Sequence, residues 1–319
     1  MPKISLFLPC RIGTKYSFFE KWFSSLISAL DDPSKVEVLI KFDEDEDLAK
    51  PLATVEEYKQ KGLLIKYIIT PRGRGYQDIS FFYAQLFLIS DPHSKMFMAG
   101  SIDLVFKKKS GFDSKLLEAD GVYSDNIYVI HPNYVEYTPV AELDPEKATQ
   151  NCETFPVWSR RWIEICGGHF GYSSSNDGHT SIIEYYLRLD YAIDRRVDIS
   201  AQLLLFEDAS DRSVNREDAA KYWLKTRKTA ILTNISEQNL QFAKQAARNL
   251  ALNIANSWSR DDYILFLTNV YSKQYEALFL QPNISPTNYY YKIKKYRKLT
   301  VYGIPLGCLI TFGLCWLFM

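Results

Sequence analysis

The sequence is poor in the residues that mark fibrous, linker-rich or disulfide-bonded chains. Glycine (14) and proline (13) are scarce among 319 residues, which excludes a collagenous chain and long flexible linkers. The five cysteines form no C-x-x-C pair and no disulfide-like framework, in agreement with a cytoplasmic location. The 38 basic and 38 acidic side chains cancel, and this balance argues against a nucleic-acid partner, because phosphate backbones recruit a surplus of Lys and Arg.

The two ends of the chain differ in hydropathy. We expect no export signal at the N-terminus, because the apolar run ISLFLP is too short for a signal-peptide core. Residues 299–319 carry no charge and, as a helix, would span ~31 Å, the thickness of a bilayer core. A Tyr-rich neck at 289–298 precedes them and carries Lys292, Lys294, Lys295, Arg297 and Lys298. The positive-inside rule then predicts a single-pass membrane anchor with the N-terminal part in the cytoplasm; a buried C-terminal helix is the alternative.

Apolar periodicity over the first hundred residues alternates between strand and helix. Strands are predicted at Lys3–Leu8, Val36–Phe42, Leu63–Ile69 and Lys95–Ala99. Helices are predicted at Tyr16–Leu30, Val55–Lys61 and Asp78–Ile89. This rhythm implies a mostly parallel α/β sheet with helices on both faces, and ligand sites in such sheets form at the carboxyl ends of the strands.

The rest of the chain is less periodic at first and then helical. We predict strands at Asn126–His131 and Val197–Phe206, helices at Ser159–Cys166 and Thr180–Leu189, and helix over most of 216–280. The predicted organisation is an α/β domain (1–213), a helical extension (214–288), a basic juxtamembrane neck (289–298) and a transmembrane anchor (299–319).

Two polar segments follow predicted strands. Asp43 comes first after the second strand, where a carboxylate can accept hydrogen bonds from a base N–H or a ribose hydroxyl. The four acids at 44–47 are equally typical of a solvated acidic turn. After the third strand, Arg72 and Arg74 alternate with glycines ahead of a helix, a pattern typical of phosphate binding. An exposed basic turn is the alternative for this second segment.

Two further candidates lie later in the chain. Asp103 follows the fourth strand, where a divalent metal or a turn would give its carboxylate a partner. Asp177 lies in a polar, glycine-bearing loop and is either a general base for a hydroxyl nucleophile or a residue near the cap of the next helix. His169 and His179 in the same loop are candidate ligands or donors, although loop histidines are more often neither.

Taken in order, the segments from Ile4 to about Phe206 resemble the GT-A fold of nucleotide-sugar glycosyltransferases, closest to the family 2-type, cytoplasm-facing enzymes. The resemblance implies that the Pro9-Cys10-Arg11 stretch and Asp43 bind the nucleotide, and that Arg72 and Arg74 lie near its diphosphate. It also implies a Rossmann-like sheet, followed in this chain by the helical extension and the transmembrane helix.

The resemblance extends to the metal site and the acceptor side. Asp103 matches the last residue of the family's Asp-x-Asp motif, which binds Mg²⁺ or Mn²⁺, whereas Ser101 stands in the first position. Gly167-Gly168-His169 match the acceptor loop, and Asp177 matches the catalytic base. Ser101, in place of the first Asp of the Asp-x-Asp motif, is the one feature that sets the metal site apart from the family pattern.

The function implied is transfer of a sugar, with inversion, from a nucleotide-diphosphate donor to the hydroxyl of a lipid-linked, glycan or protein acceptor. Two alternatives remain open. One is a non-catalytic GT-A-like protein that binds a nucleotide sugar or a partner at the membrane, which Ser101 favours. The other is a nucleotidyltransferase, although GTKYSFFEK at 13–21 is a poor version of the basic, glycine-rich loop that such enzymes need.

Overall fold

The structure is a computed structural model of the chain and describes residues 1–13, 16–74, 78–133, 144–150, 152–171, 176–199, 203–206, 228, 232–233 and 235–257. These residues belong to one compact unit, Met1–Ser259, and the second unit, Arg260–Met319, contains no described residue. The predicted neck and anchor, and the predicted boundary at residue 213, therefore lie outside the described residues. Within the described part, no helix is long and apolar enough to cross a bilayer.

The main sheet is mixed and mostly parallel. Among the described residues the strands are β1 (Ile4–Pro9), β2 (Val36–Asp43), β3 (Leu64–Thr70), β4 (Met96–Met98), β5 (Leu104–Phe106), β6 (Val129–His131), β7 (Val157–Ser159), β8 (Arg196–Asp198) and β9 (Leu204–Phe206). Seven of them form one sheet in the order β3-β2-β1-β4-β7-β6-β8, while β5 pairs with β9. The strand β7 runs antiparallel to β4 and β6, and the other pairs of the main sheet are parallel. The predicted α/β architecture is confirmed.

Helices cover both faces of this sheet. In the described part they are α1 (Tyr16–Ala29), α2 (Ala49–Gln60), α3 (Ile79–Leu88), α4 (Phe112–Ala119), α5 (Pro145–Gln150), α6 (Arg160–Ile165), α7 (Asn176–Tyr191) and α8 (Glu237–Asn256). Leu6 and Leu8 of β1 belong to the core that includes Phe19 of α1. On the opposite face, the ring of Phe7 stacks on Tyr83 of α3 with centroids 5.4 Å apart. Because strand side chains alternate between faces, the sequence of a strand that is covered on both faces is one continuous apolar run.

The order of the strands fixes where a ligand site can form. The chain starts at β1, adds β2 and β3 on one side, and then returns to place β4 on the other side of β1. The direction of winding therefore reverses between β1 and β4. Open α/β sheets bind ligands outside the carboxyl ends of their strands at such a reversal. In this chain that position is occupied by the residues that follow β1, β2, β3 and β4.

Two element boundaries differ from the prediction for local reasons. The helix α2 begins at Ala49 rather than Val55, because the Asp47 side chain accepts a hydrogen bond from the Ala49 amide (3.1 Å) and a proline is tolerated in a first turn. The strand β6 begins only at Val129 because a turn precedes it. In that turn, Asn126 has a φ of 56° and the Asp125 carboxylate accepts from the Ile127 amide at 3.0 Å.

The later elements also differ from the prediction. The helix α7 begins at Asn176 rather than Thr180, so Asp177 and His179 lie inside the helix, where an acid in the first turn is favoured by the helix dipole. The single strand predicted at Val197–Phe206 is two strands in different sheets, β8 and β9. Of the predicted helical extension, α8 is described, and it packs on α7 through a buried face that includes Ala247 and Leu250.

Candidate active site

A buried ion pair lies at the carboxyl end of β2. The side chains of Lys41 and Asp43 are 1% and 7% exposed, and their charged groups are in direct contact. They point to the same face because they are two residues apart on a strand. The Lys41 ammonium also lies 4.4 Å from the ring centroid of Phe82 in α3. The structure therefore places the predicted nucleotide ligand Asp43 at the expected strand end, with a buried lysine that the sequence analysis missed.

Arg72, after β3, lies among three carboxylates. Its Nε is 2.6 Å from Asp45 Oδ2 and 3.9 Å from Asp43 Oδ2, and its Nη2 is 4.0 Å from Glu46 Oε1. The hydrogen bond that Arg72 donates to the Asp45 carboxylate raises the pKa of the Arg72 guanidinium, which stays charged at any physiological pH. This arginine thus connects the ends of β2 and β3, as expected for two parallel neighbours.

Glu46 is not part of a solvated turn. Its carboxylate accepts hydrogen bonds from the amides of Ile12 (2.9 Å) and Gly13 (3.2 Å), and its side chain is 5% exposed. Glu44, in contrast, is exposed, as the acidic-turn interpretation predicts. Glu46 therefore holds the segment that follows Pro9, the last residue of β1, and that includes the exposed Arg11, beside the acidic segment that follows β2.

Arg74 is paired with a carboxylate of its own segment. Its Nη2 lies 2.6 Å from Asp78 Oδ1, and its backbone amide donates to Asp78 Oδ2 at 2.7 Å. These hydrogen bonds, which Arg74 donates, lower the pKa of Asp78. The glycine between the two arginines has a packing reason, because a Cβ at Gly73 would lie 2.5 Å from Phe82 Cζ. Residues 75–77, including Tyr76, lie outside the described residues.

Asp103 lies in the loop after β4, next to β1. The Ser101 hydroxyl donates a hydrogen bond to Asp103 Oδ1. This loop packs closely on β1, because a Cβ at Gly100 would meet the Phe7 carbonyl oxygen. The Tyr83 hydroxyl also fixes the loop by donating to the Gly100 carbonyl at 3.0 Å. The described residues contain no cluster of three or more His, Cys, Asp or Glu side chains that could hold a metal. Asp103 therefore offers a single carboxylate, which fits Mg²⁺ or Mn²⁺ only together with phosphate oxygens of a substrate.

Gly167 and Gly168, predicted as part of an acceptor loop, end α6. Both have a φ of 71°, in the left-handed region that favours glycine. The Gly168 amide donates to the Ile163 carbonyl at 2.8 Å and the Gly167 amide to Glu164 at 3.0 Å, as in a helix C-cap. Their local role is therefore to terminate the helix and turn the chain toward His169.

The two histidines of this region lie against α8. The ring centroid of Phe242 is 4.3 Å from that of His169 and 5.5 Å from that of His179. Burial lowers the pKa of both, that of His179 to about 3, so both imidazoles are neutral near pH 7. His169 Nδ1 accepts a hydrogen bond from the Gly171 amide at 3.0 Å, which places the ring proton on Nε2. The contact with Phe242, 73 positions later in the sequence than His169, had no sequence signal.

Asp177 lies in the first turn of α7, half-buried, and its Oδ1 accepts from the Gly178 amide at 2.8 Å. Burial, and next the neighbouring Asp177 carboxylate, raise the pKa of the Cys152 thiol. The Ser80 hydroxyl of α3 donates to the Phe170 carbonyl at 3.0 Å, and Asp78, just before α3, accepts from the Arg74 amide at 2.7 Å. The start of α3 therefore touches both the arginine segment and the loop that follows α6.

A second buried pair was also missed from the sequence. His131 Nε2 lies 3.0 Å from Glu184 Oε1, and the two residues belong to β6 and α7. Although burial lowers the pKa of His131, the Glu184 carboxylate raises it above the ordinary value. Nearby, the buried Glu153 accepts from the amides of Asn133 and Phe155, both at 3.0 Å. The contact between His131 and Glu184 thus fastens β6 to α7.

The chain is similar in fold, at low sequence identity, to solved structures of other proteins. No family model and no curated protein matches the chain. A mannosyltransferase from Pyrobaculum calidifontis, solved with GDP-Man and Mn²⁺, is 10% identical with a TM-score of 0.48, over 88% of this chain and 81% of its own. Residues 1–349 of TarS from S. aureus, solved with UDP-GlcNAc, are 12% identical with a TM-score of 0.48, over 85% and 81%. A 4-diphosphocytidyl-2C-methyl-D-erythritol synthase from Anaerococcus prevotii is 12% identical with a TM-score of 0.38, over 70% and 96%.

Proposed function

We propose that the protein is a nucleotide-sugar glycosyltransferase that moves a sugar from a nucleoside-diphosphate donor to an acceptor hydroxyl. The observation that carries the proposal is the meeting of Asp43, Arg72 and Glu46 at the carboxyl ends of β1 to β3, beside the reversal of strand order. A carboxylate suited to a base N–H thus lies next to a guanidinium suited to phosphate, at the place where open α/β sheets bind ligands.

In this proposal the donor lies across the strand ends. Its base donates an N–H to Asp43, whose carboxylate Lys41 holds in one orientation, and the segment Pro9–Arg11 borders the nucleoside. Arg72 and Arg74 bind the diphosphate. The closeness of the Arg72 guanidinium to Asp43, 3.9 Å, supports this assignment, because base and phosphate contacts must lie within one nucleotide of each other.

The leaving diphosphate gains negative charge as the glycosidic bond breaks, and the arginines stabilise that charge. A bound Mg²⁺ or Mn²⁺ would supply further stabilisation as a Lewis acid. Asp103 is the residue that would hold the ion, with its Oδ1 oriented by the Ser101 hydroxyl. One carboxylate suffices for this role, since Mg²⁺ is commonly bound by one or two carboxylates together with substrate phosphates.

Asp177 is the proposed general base, removing the proton from an acceptor hydroxyl that attacks the anomeric carbon in line and inverts it. Its position in the first turn of α7, half-buried beside Cys152, supports a carboxylate that is held in place yet reachable. General base catalysis contributes about 10²–10⁴ in rate.

Replacement of this carboxylate tests the proposal. We expect Asp177→Asn to lower sugar transfer by about 10²-fold or more while UDP or GDP binding stays unchanged. Asp190→Asn, an exposed acid at the other end of the same helix, is the matched control. UDP-GlcNAc and GDP-mannose are the first donors to use. A normal transfer rate in Asp177→Asn would show that another residue is the base.

A non-catalytic nucleotide-sugar-binding protein is the second candidate, and Ser101 is the observation that favours it. Serine stands where an additional metal-binding carboxylate would otherwise stand, and its hydroxyl is committed to Asp103. Incubation of the purified protein with radiolabelled nucleotide sugars separates the two candidates. Binding without any transfer or hydrolysis, with and without Mn²⁺, would favour the binding protein.

We also propose that residues 299–319 anchor the protein in a membrane, with the N-terminal part in the cytoplasm. The uncharged stretch and the basic neck before it support this proposal. It makes a lipid-linked or surface-glycan acceptor attractive, alongside a protein acceptor. The full chain should stay with the membrane fraction after alkaline washing, whereas a chain ending at residue 298 should be released. Release of both chains would contradict the anchor.

A further inference from the structure

Each arginine assigned to the diphosphate is paired with a carboxylate of the same chain. Arg72 Nε contacts Asp45 Oδ2 at 2.6 Å, and Arg74 Nη2 contacts Asp78 Oδ1 at 2.6 Å. A guanidinium binds carboxylate and phosphate with the same fork of N–H donors. A donor diphosphate must therefore compete with these carboxylates for the arginines.

The three carboxylates around Arg72 differ in how they are held. Asp43 is buried against Lys41, and Glu46 binds two backbone amides. Asp45 is different, because its side chain is 51% exposed and its contact with Arg72 is made at the surface. If a phosphate takes its place, the Asp45 carboxylate can turn to water without leaving a buried charge behind.

We propose that Asp45 is an internal competitor for the donor: the diphosphate displaces the Asp45 carboxylate from Arg72 when the nucleotide binds. This inference rests on the proposed function and adds a residue that lowers the affinity of the site. A small anion such as inorganic phosphate gains little binding free energy, because it only replaces the Asp45 carboxylate on Arg72. A nucleoside diphosphate also gains the base contact at Asp43, so the exchange selects for the complete nucleotide.

The structure offers a matched pair of variants. Asp45→Asn keeps the shape of the side chain and removes its charge from Arg72. Glu44→Gln removes one charge from the neighbouring position, where the carboxylate is exposed and the backbone amide pairs with the Thr70 carbonyl at 3.0 Å. The comparison between the two variants cancels the general effect of lowering the negative charge of this segment.

The experiment measures binding of UDP, GDP and dTDP to the full chain by calorimetry. We expect Asp45→Asn to bind the preferred nucleotide up to about fivefold more tightly than Glu44→Gln, the ceiling set by an exposed ion pair. The gain should disappear when Arg72→Gln is added and should shrink at high salt, because exposed pairs are screened. The matching nucleoside, which has no phosphate, should bind both variants equally.

The outcomes separate the inference from the function on which it rests. Equal or weaker nucleotide binding by Asp45→Asn than by Glu44→Gln overturns the competitor role while leaving the donor site in place. An equal gain for the nucleoside also overturns it, because the effect would then arise at the base. If the unchanged protein binds none of the three diphosphates, the proposed function fails, and the inference fails with it.

Discussion

Removing only the cation of the buried pair Lys41–Asp43 should destabilise the protein more than removing both charges. Both side chains are more than nine-tenths buried. Loss of Lys41 leaves the buried Asp43 carboxylate with only the more distant Arg72 guanidinium (3.9 Å) as a counter-charge. Breaking a buried pair in this way costs about 3–5 kcal/mol, whereas replacing both charges is often close to neutral. We therefore expect Lys41→Met to lower the free energy of unfolding by about 3–5 kcal/mol. Adding Asp43→Asn to this variant should restore about 2 kcal/mol or more, since the stranded carboxylate is removed.

Urea unfolding, followed by the fluorescence of the buried Trp22 and Trp158, measures these changes. Lys50→Met is the control, because Lys50 is exposed on α2 and its replacement should change the unfolding free energy by no more than about 0.5 kcal/mol. A Lys41→Met variant within about 1 kcal/mol of the unchanged protein, or a double variant as unstable as the single one, would contradict a stabilising role for this pair.

Two further substitutions test contacts of the sheet other than the Lys41–Asp43 pair. Because Glu184 raises the pKa of His131 above 6.5 despite burial, the pair stabilises the folded state fully below about pH 6.5 and loses this effect as the pH rises through the raised pKa. The Tm advantage of the unchanged protein over His131→Gln should therefore shrink as the pH rises above about 6.5, and a constant difference would contradict the assignment. Gly100→Ala should lower the free energy of unfolding by about 1–3 kcal/mol, because its Cβ meets the Phe7 carbonyl oxygen and must push β4 from β1. An unchanged urea midpoint would show that the strands adjust freely.

The fold was predictable where burial follows a local pattern. The strand β2 is an apolar run ending at an acid, and α1 repeats large apolar residues with helical spacing, so both could be recognised without knowing their partners. The same strand hid Lys41, however. A lysine within an apolar strand is stable only because Asp43 lies on the same face and Phe82, from another element, covers it. That last contact joins residues 41 positions apart.

The candidate site was predictable at the strand ends and less so elsewhere. Asp43 and Arg72 follow directly from the rule that parallel strands end at one edge. Glu46 could not be distinguished from its exposed neighbour Glu44 by residue type, because its burial depends on the amides of Ile12 and Gly13. The glycines after α6 carried an ambiguous signal, since helix termination and an open acceptor loop favour the same residue.

The balance of charge at the strand ends explains why the proposed binding of a diphosphate would need additional positive charge. The paired set there contains two cations and three carboxylates: Lys41 and Arg72, with Asp43, Asp45 and Glu46. A diphosphate would add negative charge to a cluster that already carries one more anion than cations. In the proposed mechanism, release of Arg72 from Asp45 and a cation held at Asp103 would both supply positive charge to the diphosphate oxygens, so each would reduce the need for the other. Under the proposed function, the single carboxylate that the S-x-D sequence at 101–103 offers a metal would be sufficient, because Arg72, which follows β3 three strands away from β4, would complete the compensation.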